Sequence, residues 1–404
     1  MNGRKLLVVM CVAHVLSLTG IGTFPSLLPT FFGLWKISNT EAGWISGIYY
    51  GGYAAAVPIL ASLTDRIDSR RVYLWSAALC GVSMAAFAAL ANGFWTALIF
   101  RAFAGIGVAG TYMPGLKVLT DRVTGGNQSR LVAFYTASFG IGSSVSIWMA
   151  GGIEDWLGWR WAFAVAALGS LGAIAIVATL VRPIPQVRRE SHSRLLDFRP
   201  VFRNRAAMAY VLAYGAHCWE LLGFRAWMVA FFAFSATLQP PGAWVWSATI
   251  VAGFINFLGV PASILGNELA MRIGRRRAAT VVMLGASVLA CIIGFTAPLP
   301  YALVVLLFAV YGVFVTADSG TITAGTVIFA RPEHKGATMA VHSFLGFLTS
   351  FLGPLAFGIV LDIAGGNAST FAWGLAFAAM GAGVALGPVA LARLGRADEA
   401  AMAR

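Results

Sequence analysis

Long apolar runs alternate with short polar segments along almost the whole 404-residue chain. Each run is close to the ~20 residues that a helix needs to cross a bilayer. The runs are solidly apolar and do not alternate as barrel strands do, so the pattern predicts membrane-spanning α-helices. Twelve runs are long enough, with approximate limits at residues 6–29, 42–62, 72–92, 94–117, 131–151, 160–181, 207–235, 243–264, 279–297, 300–328, 337–361 and 371–392.

One long polar segment divides the twelve predicted helices into two groups of six. It carries three prolines and seven arginines, a composition typical of a linker. We therefore predict an N-terminal six-helix bundle over residues 1–181, a cytoplasmic linker over 182–206 and a C-terminal six-helix bundle over 207–404. The predicted fold class is an all-α membrane protein of two pseudo-symmetric bundles.

The composition agrees with a chain that lies in lipid. Hydrophobic residues make up 59% and charged residues only 11%, against about 25% charged in a soluble domain. The first run follows Arg4 and Lys5, as in a signal peptide, but it continues to Phe32 and eleven runs follow, so we expect it to be retained. All four cysteines lie inside apolar runs, which indicates buried small residues rather than disulfides or a zinc site.

The net charge of +13 is explained by where the basic residues lie. With the N-terminus inside, the inner segments hold 23 Lys and Arg residues, whereas the outer loops hold only Lys36 and Arg160. This asymmetry predicts an inner-membrane protein with both termini in the cytoplasm. A nucleic-acid partner is not needed to account for the charge.

A short basic turn occurs twice, at Ala61–Arg71 and at Asn267–Arg277. Two copies in corresponding places indicate a duplicated unit. The matching pairs are Leu63 with Leu269, Arg66 with Arg272, Ile67 with Ile273, Arg70 with Arg276, and Arg71 with Arg277.

The twelve predicted spans, the basic central segment and the repeated turn together resemble the major facilitator superfamily. Its loop pattern after span 2, Gly-x-Leu-Ala-Asp-Arg-x-Gly-Arg-Lys, is matched at Leu63, Asp65, Arg66 and Arg70, whereas Ala61 and Asp68 replace the two glycines and Ser69 replaces a base. Span 4 carries the similar pattern Arg101-x-x-x-Gly105-x-Gly107, and span 5 ends near Gly158-Trp-Arg-Trp161. Span 5 lacks the Gly-Pro pair typical of drug–proton antiporters, which counts against that class.

The resemblance implies a gating role for the repeated turns. Asp65 would lie against a helix N-terminus of the opposite half and stabilise one conformation, since a carboxylate there contributes roughly 0.3–1 kcal/mol. The alternative is that the acids only balance nearby arginines. The predicted gating residues are Asp65, Arg66, Arg70, Arg272 and Arg276.

The resemblance also implies close contact between spans 2 and 11, and a central cavity lined by spans 1, 4, 7 and 10. Small residues at Gly47-x-x-x-Gly51 and Gly353-Pro-x-x-x-Gly358 would permit the close contact. Ionisable residues inside spans are costly, so we expect them to face a cavity or a partner. They fall largely on the four cavity spans, as His14, Arg101, His217, Glu220, Arg225 and Asp318.

Glu220 and Asp318 are the predicted proton-coupling residues. A carboxyl group at the membrane midplane is held partly neutral by desolvation, so it can load and release a proton as the cavity opens to either side. The alternative is a fixed ion pair of Glu220 or Asp318 with an arginine, which holds the two halves together.

Arg101 and Arg225 are predicted to bind an anionic substrate, because guanidinium matches carboxylate and oxyanion geometry. Arg101 could instead brace span 4 by bonding backbone. Arg225 lies about 140° from Glu220 on an ideal helix, so the two would pair only if Gly223 broke the helix. His14, Tyr112, Tyr214, His217 and Tyr311 complete the predicted substrate site, although single aromatic residues usually pack against neighbours. His342 is interpreted as a packing or gate residue.

The sequence thus predicts a secondary active transporter that moves a small organic or inorganic anion by alternating access, coupled to protons and acting as a monomer. The alternative is a proton-coupled efflux pump for hydrophobic or cationic compounds. A membrane sensor with the same fold is a third hypothesis. We find no phosphate-binding glycine loop, metal cluster or nucleophile motif, so we expect no enzyme activity, no metal and no cofactor.

Overall fold

The structure is a computed structural model that describes residues 3–123, 128–184 and 198–394. Over these residues the regular structure is helical, without β-strands. Seventeen α-helices are numbered in chain order: α1 (Gly3–Ser17), α2 (Thr23–Ser26), α3 (Leu28–Trp35), α4 (Asn39–Leu63), α5 (Ser69–Leu90), α6 (Phe94–Thr120), α7 (Gln128–Leu157), α8 (Trp159–Leu180), α9 (Arg199–Arg203), α10 (Arg205–Thr237), α11 (Ala248–Ile273), α12 (Arg275–Ile293), α13 (Tyr301–Ala317), α14 (Ser319–Phe329), α15 (Lys335–Ile363), α16 (Thr370–Val384) and α17 (Leu386–Leu394).

Each of the twelve predicted apolar runs coincides with one helix or with consecutive helices. In the described part of the chain, nine helical segments are long and apolar enough to cross a membrane. The number of spans, twelve, stays a prediction. Most of the predicted linker, residues 185–197, lies outside the described residues, as do Arg188, Arg189, Arg194, Arg396 and Arg404 among the arginines used to predict orientation.

Two of the runs are interrupted where the chemistry of the site lies. The first run leaves helical geometry between α1 and α2, around Gly20 and Gly22, and the tenth run breaks at Asp318 between α13 and α14. A broken helix leaves backbone carbonyls without partners inside the helix, so other groups must bond them. By contrast α10 is continuous through Gly223.

The chain forms two compact units. The first contains residues Met1–Ile37, Ile48–Ser191 and Ala252–Phe257, and the second contains Ser38–Gly47, His192–Val251 and Leu258–Arg404. The start of α4 therefore belongs with the second unit, although the rest of that helix belongs with the first.

The first unit is packed around α1, α5, α6, α7 and α8. Its buried core includes Met10, Tyr73, Val118 and Val177. Glycine allows close approach in the motif of α6, because a Cβ at Gly107 would lie 2.6 Å from the backbone nitrogen of Cys80 on α5. The motif glycines are thus explained by helix packing.

The second unit is packed around α10, which is buried along most of its length. Rings of α10, α13 and α16 stack or meet edge to face, for example Phe231 with Phe308 at 4.6 Å and Phe231 with Phe377 at 5.5 Å. Asn204 caps the start of α10 by accepting a hydrogen bond from the Ala207 amide at 3.2 Å. The polar side chains of α10 are therefore on a helix that is packed by aromatic rings.

Candidate functional site

In the first unit, His14 lies on α1 among aromatic rings. Its Nδ1 is 2.7 Å from the Ser138 hydroxyl of α7, and its ring stacks with Tyr112 at 5.3 Å and Tyr135 at 4.7 Å. His14 is fully buried, and its Nε2 has no hydrogen-bond partner in the described residues. One ring nitrogen is thus engaged, whereas the other is available to a ligand or a water molecule.

Arg101 lies on α6 and is also fully buried. It donates to the carbonyls of Gly20 at 3.0 Å and Ile21 at 3.3 Å, which are those released by the break after α1. Its guanidinium carbon lies 4.2 Å from the centre of the Tyr49 ring. Arg101 therefore braces the broken first run.

No carboxylate lies within ion-pair distance of Arg101 in the described part of the chain, and its Nε has no hydrogen-bond partner there. The two carbonyls offer partial negative charge only. A buried guanidinium without an acidic partner is electrostatically unsatisfied.

In the second unit, the break of the tenth run brings Asp318 to His217 of α10. Asp318 Oδ1 lies 2.8 Å from His217 Nδ1, and the side chains are 3% and 1% exposed. The atoms are at ion-pair distance but are poorly aligned for a hydrogen bond, since neither has a well-directed partner. The contact is an ion pair only when the imidazole carries a proton.

Glu220 lies three residues after His217 on α10. Its carboxylate accepts a hydrogen bond from the Tyr311 hydroxyl of α13 at 3.0 Å, and the residue is 1% exposed. Asp318 contacts His217, which lies about one turn before Glu220 on the same helix. The two predicted proton-coupling residues thus belong to one polar cluster, each with a different partner.

Tyr214 joins this cluster to a second imidazole, that of His342. The ring of Tyr214 stacks on His342 of α15 at 3.8 Å and on His217 at 5.9 Å. His342 Nδ1 is 3.2 Å from the Thr326 hydroxyl of α14. His342 was interpreted from sequence as a packing or gate residue, and the structure places it beside two of the predicted site residues.

Arg225 is partly buried on α10, five residues after Glu220. Because α10 does not break at Gly223, the two side chains leave the helix in directions about 140° apart. The glycine serves packing instead, since an added Cβ would meet the Met380 sulfur of α16. Contact of Arg225 with a substrate stays a prediction.

The predicted gating residues occupy two environments. Asp65 is 67% exposed and lies 3.8 Å from Lys117 of α6, and Arg66 and Arg272 are exposed. The matched arginines Arg70 and Arg276 each donate to a backbone carbonyl near the C-terminal end of a helix. Arg70 donates to Ala178 of α8 at 2.7 Å, and Arg276 donates to Ala392 of α17 at 3.5 Å. The repeated turn therefore makes the same kind of contact twice.

Asp68, which replaces a glycine of the family pattern, binds several segments of the first unit together. It accepts hydrogen bonds from the Arg70 amide at 3.0 Å, the Ile184 amide at 3.0 Å and the Arg122 guanidinium at 3.0 Å. Burial alone would raise the pKa of Asp68, but these donors outweigh burial and hold the pKa below its ordinary value. Its place in a matched motif was the sequence signal for this role.

Asp362 was not singled out from sequence. It lies in the last turn of α15 and accepts four hydrogen bonds from the first residues of α4. A charge at a helix end is common, so this residue carried no distinctive sequence signal.

Comparison with known proteins decides the family. The family model of the Major Facilitator Superfamily matches residues 10–354. The chain belongs to this superfamily. The predicted all-α membrane fold is thereby confirmed, and the superfamily is one of membrane transporters, which are not enzymes.

Relatives of this superfamily member are distant in sequence. Human protein spinster homolog 1 is 23% identical over 298 residues, covering 68% of this chain and 55% of that protein, so the chain spans little more than half the length of this curated relative. The sphingosine-1-phosphate transporter SPNS2 of Xenopus tropicalis is 21% identical, covering 88% and 73%. The multidrug transporter protein MdtP of Bacillus subtilis is 26% identical, covering 45% and 34%.

Solved structures share the fold. A bacterial homologue of the human lysosomal transporter Spinster, in an inward-facing and occupied conformation, superposes with a TM-score of 0.79 at 16% identity and covers 97% of both chains. The nucleoside transporter NupG superposes with a TM-score of 0.76 at 15% identity, covering 98% of this chain and all of that one. These similarities establish the fold alone.

Proposed function

We propose that this transporter moves a small organic or inorganic anion by alternating access, and that transport is coupled to protons. The observation that carries the proposal is the buried Arg101, which has no carboxylate partner among the described residues. A guanidinium in the membrane interior without a counter-charge is costly, and a bound anion would remove part of that cost. The Arg101 side chain can both brace the broken first run and attract an anion.

The polar cluster of His217, Glu220, Tyr311 and Asp318 supports proton coupling. These side chains are almost completely shielded from solvent. Separating a proton from a buried carboxyl without a cation nearby is unfavourable, so the number of protons in the cluster depends on its access to water. A conformational change that wets the cluster from one side would therefore load or release a proton.

The remaining predicted substrate residues complete the proposal. Besides Arg101, the residues that we propose to bind the substrate are His14, Tyr112, Tyr214, His217, Arg225 and Tyr311. The free Nε2 of His14 supports this assignment, because a buried polar nitrogen without a partner favours a ligand that bonds it.

The name of one relative is compatible with an organic anion. Sphingosine 1-phosphate, in the name of the Xenopus tropicalis relative, carries a phosphate group. Nucleosides, in the name of NupG, are by contrast neutral. We therefore give preference to an amphiphilic phosphate or carboxylate over a neutral solute.

We further propose an inner-membrane location with both termini in the cytoplasm, a monomeric state, and an N-terminal bundle, linker and C-terminal bundle over 1–181, 182–206 and 207–404. The distribution of Lys and Arg supports the orientation. For the repeated turns we retain a gating role for Asp65, Arg66, Arg70, Arg272 and Arg276. The backbone contacts of Arg70 and Arg276 support it most directly.

An efflux pump for hydrophobic or cationic compounds is the second candidate. It is favoured by the similarity to MdtP, although this covers only 45% of the chain. Glu220 and Asp318 would then attract the cation. Arg101 argues against this function, because a cation would be repelled by it.

A ligand panel on the purified protein tests the proposal first. Ligands that bind the folded state raise its melting temperature. We expect sphingosine 1-phosphate, inorganic phosphate or a monocarboxylate such as lactate to raise it, and ethidium not to do so. Stabilisation by ethidium alone would favour the efflux function instead.

A further inference from the structure

Two short contacts of Ser138, in the first unit, determine which nitrogen of His14 carries a hydrogen. The Ser138 hydroxyl lies 2.6 Å from the backbone carbonyl oxygen of Tyr135, three residues earlier on α7. The same hydroxyl lies 2.7 Å from His14 Nδ1. At these distances a hydrogen must lie between the two atoms of each contact, because two facing lone pairs would repel each other.

The two hydrogens belong to different residues. The Tyr135 carbonyl has no hydrogen to give, so the single hydrogen of the Ser138 hydroxyl lies in that contact. The hydrogen of the other contact is therefore that of His14, whose Nδ1 donates to Ser138 Oγ. The side chain of Cys11, on α1, also bonds Ser138, and its thiol can donate to the remaining lone pair of the hydroxyl.

The surroundings of His14 favour an uncharged imidazole. The residue is fully buried, and no carboxylate lies within ion-pair distance of it among the residues that the structure describes. A buried charge without a partner is costly. A neutral imidazole carries one N–H group, and because this group is on Nδ1, the other nitrogen, Nε2, offers a lone pair.

We propose that Ser138 holds His14 Nε2 as a hydrogen-bond acceptor, which selects a substrate that carries a hydroxyl or ammonium group in addition to its anionic group. The substrate part of this proposal rests on the proposed function, in which His14 binds the substrate. Nε2 is shielded from solvent and has no hydrogen-bond partner in the described residues. A ligand group that meets Nε2 must therefore bring its own hydrogen.

The neighbouring tyrosines fix the ring and do not themselves satisfy Nε2. Tyr112 and Tyr135 stack on the imidazole at interplanar angles of 22° and 20°, and the bond to Ser138 determines which edge of the ring faces α7. The Tyr135 hydroxyl donates to the Thr111 carbonyl at 2.9 Å, and the Tyr112 hydroxyl pairs with the Thr136 side chain. Both hydroxyls are thus engaged elsewhere.

The first unit therefore offers two opposite kinds of hydrogen-bonding group. Arg101 has only N–H donors, which suit an anion, whereas His14 Nε2 has only a lone pair. An anion without a hydroxyl or ammonium group would leave Nε2 unsatisfied on binding, which is unfavourable for a buried polar atom. Ser138 is a positioning residue in this account, because it acts on the substrate only through His14.

Nitrogen-15 NMR of the full-length protein in lipid bilayers tests the tautomer without any substrate. Protonated and unprotonated imidazole nitrogens resonate far apart, and the chain has only five histidines, so His14→Gln identifies the signals of His14. We expect a protonated Nδ1 and an unprotonated Nε2. We expect Ser138→Ala to shift hydrogen from Nδ1 to Nε2, because the acceptor for Nδ1–H is lost. A protonated Nε2 in the wild type would overturn the proposal.

The choice of substrate is tested with two alkyl phosphates that differ in one hydrogen-bonding group. The hydroxyl of 6-hydroxyhexyl phosphate can donate, whereas the ether of 6-methoxyhexyl phosphate can only accept. The six-carbon spacer is used because His14 and Gly20, whose carbonyl Arg101 binds, are six residues apart, or about 9 Å at helical rise. We expect the hydroxyl compound to bind about tenfold more tightly to the wild type.

Two serine variants show whether this preference depends on the tautomer. Ser138→Ala should reduce the tenfold preference to less than about twofold. Ser83→Ala is the matched control, because Ser83 is also buried and donates to a carbonyl of its own helix, that of Leu79 at 2.7 Å. This variant should keep the preference.

The outcomes separate this proposal from the proposed function. Equal binding of the two phosphates to the wild type would overturn selection of a donor, and so would equal loss of the preference in Ser138→Ala and Ser83→Ala. If neither phosphate binds, the proposed anion function is contradicted, and the wild-type NMR spectrum alone confirms or overturns the acceptor role of Nε2.

Discussion

Asp318 Oδ1 lies 2.8 Å from His217 Nδ1, and both side chains are almost completely buried. The contact joins the break between α13 and α14 to the centre of the long helix α10. A similar solution occurs in the first unit, where Arg101 bonds the carbonyls at the break after α1. In each unit a basic side chain from a continuous helix thus meets a broken one.

The His217–Asp318 pair should be strongly coupled in stability. Replacing one member leaves the other buried alone, and we expect His217→Asn or Asp318→Asn each to cost about 3 kcal/mol. The double variant should recover much of this loss, because no unpaired member remains. Thermal unfolding in detergent of all four proteins measures the coupling. Strict additivity of the two single losses would show that the contact contributes nothing.

Glu220→Gln should separate substrate binding from proton coupling. The amide can still accept a hydrogen bond from Tyr311 but cannot release a proton. We expect uptake driven by a pH gradient to fall at least tenfold, whereas exchange of labelled for unlabelled anion at equal pH continues. Asp155→Asn, an exposed acid, serves as the matched control. If uptake by Glu220→Gln keeps the wild-type rate, Glu220 is not the proton carrier.

Arg101→Lys should be poorly tolerated, although it conserves the charge. Lysine presents a compact ammonium and cannot direct two separate N–H groups at the carbonyls of Gly20 and Ile21 in the same planar geometry. We expect a loss of about 2 kcal/mol in unfolding free energy and weaker stabilisation by anions. Arg160→Lys is the matched control, because exposed Arg160 also donates to a backbone carbonyl, that of Ala88 at 2.8 Å. Similar losses in both variants would remove any special role for Arg101.

Asp68→Asn should lower stability in a manner that depends on pH. The pKa of Asp68 is lower in the folded state than in the unfolded state, where it is about 3.9. The ionised carboxylate therefore stabilises the fold at pH values above the unfolded pKa. This stabilisation is lost as the pH falls through the folded-state pKa. We expect a difference of about 1–2 kcal/mol between wild type and variant at neutral pH, which shrinks below about pH 4. Melting temperatures at several pH values test this. A difference that stays constant down to acidic pH would contradict the assignment.

The sequence predicted the helical membrane fold and which side chains carry unusual chemistry. Hydropathy identifies Glu220 and Asp318 because a carboxyl inside an apolar run is rare and costly wherever it points. It does not identify their partners, because His217 and Tyr311 reach them from helices whose neighbours are set by tertiary packing. The break after α1 was not predicted either, although Gly20 and Gly22 are compatible with it.

The contacts of the predicted gating residues were the hardest to predict from the sequence. The family pattern directs attention to Asp65, which lies exposed beside Lys117, whereas Asp68 in a glycine position makes the buried bonds. A carboxylate that bonds the start of a helix is found on Asp362, which accepts from the Thr40 amide of α4. A residue at a helix terminus has no apolar context to mark it, so only coordinates show what it bonds.

The coupling of anion movement to protons is the central claim, and lumenal pH in proteoliposomes measures it directly. Wild-type protein would be reconstituted into liposomes that contain the pH indicator pyranine. The anion that most raises the melting temperature of the purified protein would then be added outside, at equal pH on both sides. Our account predicts that the lumen acidifies as the anion enters, and that Glu220→Gln abolishes the acidification. Anion uptake with an unchanged lumenal pH in the wild type would contradict it.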